Sequence, residues 1–201
     1  MSRQTGYLPS LRRTAIPDVL VLEPRVFKDA RGHFFESHNR AAFAAAIGSD
    51  PDFVQDNHSR SRKGVLRGLH YQIQQPQGKL VRVVSGAIFD VAVDLRRESP
   101  TFGRWVGVEL SSENFRQMWV PCGFAHGFMV LSESADVTYK TTDYYAPEHE
   151  RCLRWDEPGI GIAWPKVDTG VVLSPKDRLG VSLAEAHLFD SELVVAADAL
   201  V

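Results

Sequence analysis

Cysteine is nearly missing from this 201-residue sequence: Cys122 and Cys152 are its only two. That is too few, and too widely spaced, for a disulfide framework or a zinc knuckle. An excess of charge of either sign is also missing. The net charge of −2 gives no electrostatic reason for a nucleic-acid partner. No apolar run approaches the roughly eighteen residues of a membrane span, and Met1 to Arg13 has no apolar core of the signal-peptide kind. The expected compartment is the cytoplasm. Lysine is scarce, 6 against 17 arginines. The guanidinium fork suits carboxylate and phosphate, which weakly favours an anionic ligand; a high-GC coding bias that also raises alanine accounts for the ratio equally well.

What is present fits one generous domain with room for a buried core, at 44% apolar and 24% charged residues. No repeat, low-complexity tract or linker divides it. Residues 1–13 read as a loose tail, 14–190 as the single domain and 191–201 as a C-terminal tail. Asp18-Val-Leu-Val-Leu-Glu is a short strand stopped by Pro24, and Asp29-Ala-Arg-Gly-His is a turn before Phe34-Phe35-Glu36. Asn39 to Ile47 is alanine-rich and stops at Gly48, the signature of a short helix. From Val65 to Tyr145 short apolar runs alternate with Ser/Gly/Pro turns every ten to fifteen residues or so, which argues for an all-β sandwich or barrel. Ser182-Leu-Ala-Glu has capping-box spacing and predicts a short helix through Phe189.

The densest chemistry lies in Val65–Arg82, where His70 and Lys79 sit in two strand-like runs around Pro76 and Gly78. Pro121-Cys-Gly-Phe-Ala-His126-Gly is similar to the second signature of cupins, small jelly-roll barrels. A metal-binding cupin also needs a first signature with two histidines one residue apart and a following carboxylate. Here the matching place reads His70-Tyr71-Gln72, so ligands are missing and no metal is expected. Metal-free acid/base chemistry remains. His70 is a base by its intrinsic pKa, Lys79 is placed to stabilise an oxyanion, and Tyr139 can donate a proton. Asp90, Asp94 and Asp177 are the candidate carboxylates to orient the histidine, and spacing does not choose among them. Asp90 shares one strand face with Ile88, Ala92 and Asp94, alternating with Phe89, Val91, Val93 and Leu95, and so faces either solvent or a polar cavity. On spacing alone Arg31 is a solvated turn residue.

In order along the chain stand Asp29–Glu36, Gln55–Ser59, Val65–Gln72, Gly78–Arg82, Asp90–Arg96, Ser99–Gly103, Pro121–Phe128, Tyr139-Lys140, Tyr144-Tyr145, Ile162–Pro165 and Leu173-Ser-Pro-Lys-Asp177. Together these runs make the sequence resemble the dTDP-4-dehydrorhamnose 3,5-epimerase family across Thr14 to Phe189. The resemblance implies a cupin-type jelly-roll β-barrel with a few short peripheral helices. It also implies epimerisation at C3 and C5 of dTDP-4-dehydro-6-deoxy-D-glucose, with no cofactor, in the dTDP-L-rhamnose supply for polysaccharides such as O-antigen. A monofunctional 3- or 5-epimerase of another deoxysugar pathway is the alternative. Carried over, His70 is the base, Asp177 its carboxylate and Tyr139 the acid. Lys79 stabilises the enolate, and Asp90 supports the polar network. Arg67, His126 and Lys176 fall where the family binds substrate, and Glu36, Gln55, Asn57 and Tyr144 near the nucleotide or sugar. Phe27 and Arg31 are implied to reach the partner's site in a homodimer. Arg67 and His70 differ by an odd number of positions and would face opposite sides of an ideal strand, so for both to reach one cavity either Gly68 marks a bulge or Arg67 lies at the strand's start.

Overall fold

In a computed structural model of the protein, residues 7–190 are described. Two antiparallel sheets face each other. The first, in spatial order, contains β1 (Ser10–Arg13), β2 (Leu20–Glu23), β10 (Gln117–Val120), β7 (Lys79–Ser85), β12 (Ser134–Thr141) and β5 (Gln55–Arg62). The second contains β13 (Glu150–Cys152), β6 (Leu66–Gln72), β11 (Phe124–Val130), β8 (Ala87–Asp94) and β9 (Trp105–Ser111). A separate hairpin, β3 (Phe27–Asp29) with β4 (Gly32–Phe34), pairs with neither sheet.

The inward halves of the strands make the main core, with Val81, Val83, Ile88, Ala92, Val106, Met118, Phe128 and Val137 meeting between the sheets. The outer faces are covered as well. Val91, Val93 and Leu95 turn outward from the second sheet and pack beneath Ile160, Ala186 and Phe189 of the C-terminal segment. Leu20, Leu22, Leu80 and Trp119 turn outward from the first sheet and pack against Phe43. This explains why β8 carries apolar residues at both parities: each face is buried, as in a sheet sandwiched between layers.

Phe43 belongs to α1 (Arg40–Ile47), which ends where its caps place it. The Asn39 side chain accepts from the Ala42 amide, and Gly48 at φ 80° returns its N–H to the Ala44 carbonyl. Two expectations change. Ordered structure begins before residue 14, because Ser10–Arg13 pairs along β2. The helix expected over 182–189 does not form. Ser182 and Glu185 do make their side-chain hydrogen bonds, but one turn later the chain becomes extended. There Phe189 exchanges backbone hydrogen bonds with Leu95 and Arg97 and buries its ring, an anchorage stronger than the helical propensity of so short a segment. Residues 1–6 and the expected tail at 191–201 lie outside the described residues.

Candidate active site

At one end of the sandwich the inward-facing residues change from apolar to polar. The alternation of β5 shows why: Gln55, Asn57, Ser59 and Ser61 face inward while Asp56, His58, Arg60 and Arg62 face out. This strand has no apolar residue, yet it is held by full pairing with β12, and its inner face lines an opening rather than a core. The resulting cleft of about 280 Å³ has Gln55, Asn57, Lys79 and Tyr139 from the first sheet as one wall. His70 and Glu150 of the second sheet form the other, and Tyr145 of the following loop closes one side.

His70 reaches this cleft because of a bulge. On β11, His126 pairs with His70 and Phe128 with Arg67, so three steps on β6 oppose two on β11. The extra residue falls at Gly68 and Leu69, one of the two solutions the odd spacing allowed. Gly68 has φ 122°, and a Cβ there would come within 2.6 Å of the Gly127 Cα, so glycine is needed for both conformation and space. The bulge also turns the Gly68 amide toward Asp177, donating to Oδ1 at 3.3 Å.

Asp177 opens a 3₁₀ turn (Asp177–Leu179) behind His70. Its Oδ1 lies 2.7 Å from His70 Nε2, a close contact off the line of an ideal N–H hydrogen bond. Its Oδ2 accepts from the Ser174 hydroxyl at 2.6 Å. Burial pushes this carboxyl up, but His70, Ser174 and the Gly68 amide outweigh it and hold the group at about 2. Of the three carboxylates the spacing left open, Asp177 is therefore the one against His70. Asp94 is tied to Arg96, Ser99 and Thr101. Asp90 meets His126 Nε2 at 2.8 Å, both wholly buried beside His70 rather than lining the cleft.

Lys79 is buried, and desolvation pulls its ammonium down to about 8 against the opposing pull of Glu150 and Asp90. Its Nζ is 3.4 Å from the His70 carbonyl oxygen, so it spans the cleft from the first sheet toward the second. Burial raises the Tyr139 phenol, with the Arg67 charge opposing, so it is a protonated donor at neutral pH. Arg67 itself is held at the Ser61 hydroxyl at 2.9 Å.

The remaining expected residues divide. Gln55 and Asn57 line the cleft, linked to each other at 2.9 Å. Lys176 stands at the mouth, paired with Glu150. Glu36 lies elsewhere, receiving the Tyr7 amide and the Asn39 side chain. Phe27 and Arg31 are on the separate hairpin, Arg31 90% exposed and, among the described residues, paired only with Asp29. Within this chain those three are not brought to the cleft. Tyr144 is exposed, and its neighbour Tyr145 lines the cleft, hydroxyl 2.6 Å from Glu150. Glu150 was not anticipated; an acid in the charge-rich run Glu148-His-Glu-Arg gives no signal of its own. Tyr145 was legible only as half of a tyrosine pair.

Gln72, at the place of the missing metal-ligand histidine, is fully committed. Its amide donates to the Gln75 and Tyr144 carbonyls, and its oxygen accepts from the Ala146 amide. Gln77 donates to the Asp143 carbonyl and Gln55 accepts from the Tyr145 amide. Three glutamines thus hold down the loop that carries Tyr145. The thiol of Cys122 donates to the Pro76 carbonyl on the other side of the same region. Cys152, paired across the ladder from His70, has its thiol raised to about 12 by burial and then by Asp177 and Glu150, so it is not a thiolate at neutral pH.

A two-sheet jelly roll of the cupin type, with a histidine–carboxylate pair facing a tyrosine across its open end, defines an acid/base enzyme class. The model of the family described as dTDP-4-dehydrorhamnose 3,5-epimerase matches residues 13–185. The chain is 64% identical over 177 residues to the Pseudomonas aeruginosa dTDP-4-dehydrorhamnose 3,5-epimerase, covering 88% of this chain and 97% of that one. It is 55% identical to the Salmonella typhimurium enzyme of the same name, covering 90% and 96%. Among solved structures, the Legionella pneumophila dTDP-6-deoxy-D-glucose-3,5-epimerase in complex with dTDP-4-keto-L-rhamnose superposes with a TM-score of 0.86 at 52% identity. That match covers 92% of this chain and 96% of that one. The chain belongs to the dTDP-4-dehydrorhamnose 3,5-epimerase family.

Proposed function

We infer that the protein epimerises dTDP-4-dehydro-6-deoxy-D-glucose at C3 and C5, giving dTDP-4-dehydro-L-rhamnose. The observation that carries this reading is the opposition of His70, backed by Asp177, and Tyr139 across one cleft, with buried Lys79 between the walls. The substrate's 4-keto group acidifies the hydrogens at both neighbouring carbons. His70 removes a proton on one face while Asp177 holds the ring and favours the imidazolium that forms. The electron pair moves onto the C4 oxygen, where the Lys79 ammonium stabilises the enolate. Tyr139, on the other wall, returns a proton to the opposite face and inverts the centre. Exchange with water then takes the proton from His70 and restores the one lost by Tyr139, and repeating the cycle at the second carbon completes the reaction.

In this reading Gln55, Asn57, Arg67, Tyr145, Glu150 and Lys176 receive the nucleotide sugar, with His126 and Asp90 fixing His70 from beneath. Phe27 and Arg31 serve the cleft of a second copy in a homodimer. Support comes from the hairpin's standing apart from both sheets with Phe34 65% exposed, an apolar surface left uncovered among the described residues. Among the described residues no helix is long and apolar enough to cross a membrane; the cytoplasm, where nucleotide sugars are made, is the setting that fits the proposed substrate. The test is proton NMR of the 4-keto-6-deoxy nucleotide sugar with enzyme in deuterated buffer. Deuterium is expected at both C3 and C5. Label at one carbon only marks a monofunctional epimerase, and no label from folded protein refutes the reading.

A further inference from the structure

We propose that His70, Cys152 and Asp177 form a site for a thiophilic divalent cation, Zn²⁺ foremost, whose occupancy silences the base. Cys152 and His70 are directly paired in the β13–β6 ladder, and opposed residues project to the same face. Asp177 comes to the same point from its 3₁₀ turn. One donor atom from each of the three residues lies within 4.8 Å of the other two. Imidazole nitrogen, sulfur and carboxylate oxygen are the ligand set zinc prefers, and a fourth, cleft-facing position is left for water.

The donor atoms are available. His70 Nε2 has no aligned hydrogen bond despite its closeness to Asp177. Cys152 Sγ has one long contact, 3.6 Å to the Leu153 carbonyl. Asp177 is already oriented by Ser174 through its other oxygen, the kind of outer support that metal-binding carboxylates have. Cys152 also has no part in the proton transfers derived above, where the acid, base and oxyanion partner are other residues. His70 Nε2 is itself buried, so a cation reaches it from the cleft that His70 lines only as the ring, 27% exposed as a side chain, turns aside.

Tetrahedral zinc holds such atoms roughly 3.3–3.6 Å apart. His70 and Asp177, at 2.7 Å, therefore part slightly, and the Cys152 side chain turns in. Binding converts the thiol to a zinc-bound thiolate and releases its proton to solvent; no electrons are exchanged. The metal takes the Nε2 position, the proton that Nε2 held toward Asp177 moves to the other ring nitrogen, and the ring then has no lone pair left to accept a proton from substrate. The site itself rests on geometry alone; its inhibitory consequence rests on the epimerase reading.

The test titrates full-length, metal-free protein with Co²⁺ and then Zn²⁺. One equivalent of Co²⁺ is expected to give the near-ultraviolet absorption of a cobalt–thiolate bond, and Zn²⁺ to bleach it. Cys152→Ala is expected to lack that absorption and to bind Zn²⁺ at least about tenfold more weakly. One equivalent of Zn²⁺ should stop deuterium exchange into substrate by the native protein and leave Cys152→Ala exchanging. No cobalt–thiolate absorption, absorption that survives in Cys152→Ala, or equal Zn²⁺ affinity overturns the site. Equal inhibition of both proteins overturns the silencing. If neither protein exchanges deuterium without metal, the epimerase reading has failed, and the cobalt spectrum still decides the site.

Discussion

Two histidine–aspartate pairs lie side by side on neighbouring strands. His70 meets Asp177 at 2.7 Å and His126 meets Asp90 at 2.8 Å, with His70 and His126 opposite each other in the β6–β11 ladder. Their contacts are nearly the same and their surroundings are not. In the first pair the histidine side chain is 27% exposed and the carboxylate 4%; in the second the figures are 8% and 0%. A base must touch what it deprotonates, so only the first pair can work on a bound ligand. The second is a buried polar prop, and its worth is in position and stability. The lesson is that a histidine beside an aspartate is not by itself a catalytic dyad; the proposed role of the first pair rests on its access to the cleft.

The sharpest break in this comparison is Asp177→Asn. It keeps the shape, removes the charge that supports the imidazolium, and is expected to lower kcat by about 10²–10⁴. Steady-state kinetics measures this. The same variant has an acid signature. Because the folded carboxyl is held at about 2 against 3.8, its contribution to stability is present above the unfolded value and lost as pH falls toward 2. Thermal melts across that window should flatten in Asp177→Asn.

The opposite outcome is expected for Asp90→Ala. Leaving His126 unpaired in the interior should cost about 2–4 kcal/mol, read as a fall in Tm, with the folded fraction retaining deuterium exchange. An activity loss as deep as that of Asp177→Asn at full stability would erase the distinction between the pairs.

Lys79 gives a smaller effect with a defined pH window. Its ammonium is lost as pH rises through about 8, so kcat should fall above that value if the charge stabilises the enolate. Lys79→Met should remove this limb and lower the plateau. The stability sign is separate. Between about 8 and 10.5 the unfolded chain binds more protons at this lysine than the folded one, so its contribution makes stability rise with pH there. That rise should vanish in Lys79→Met. The smallest effects separate the two tyrosines. Tyr145→Ala should raise KM clearly, while Tyr144→Ala, outside the lining of the cleft, should change it by less than about threefold.

Much of this was legible in the sequence, for identifiable reasons. The α1 boundaries followed from Asn39 and Gly48, because capping is local chemistry. Parity left either a bulge at Gly68 or a strand starting at Arg67, because two polar residues at odd separation cannot share a face of a regular strand, and the ladder supplies the bulge. The carboxylate of His70 did not follow from spacing: Asp90, Asp94 and Asp177 are equivalent in one dimension, and the choice came from the resemblance of Leu-Ser-Pro-Lys-Asp177 to a family motif. Tyr145 rather than Tyr144 was hidden because the loop's direction depends on distant glutamines, Gln55, Gln72 and Gln77. The capping box at Ser182 misled because its hydrogen bonds form in a single turn as readily as at the start of a helix, and the docking of Phe189 decided the rest.

The most direct test of the central claim compares native protein with His70→Asn in deuterated buffer, following C3 and C5 of the nucleotide sugar by NMR. If His70 is the base, the native protein labels both carbons, and folded His70→Asn labels neither above the rate in buffer. Label entering at either carbon at a near-native rate in His70→Asn would contradict the assignment and leave the base to be sought elsewhere in the cleft.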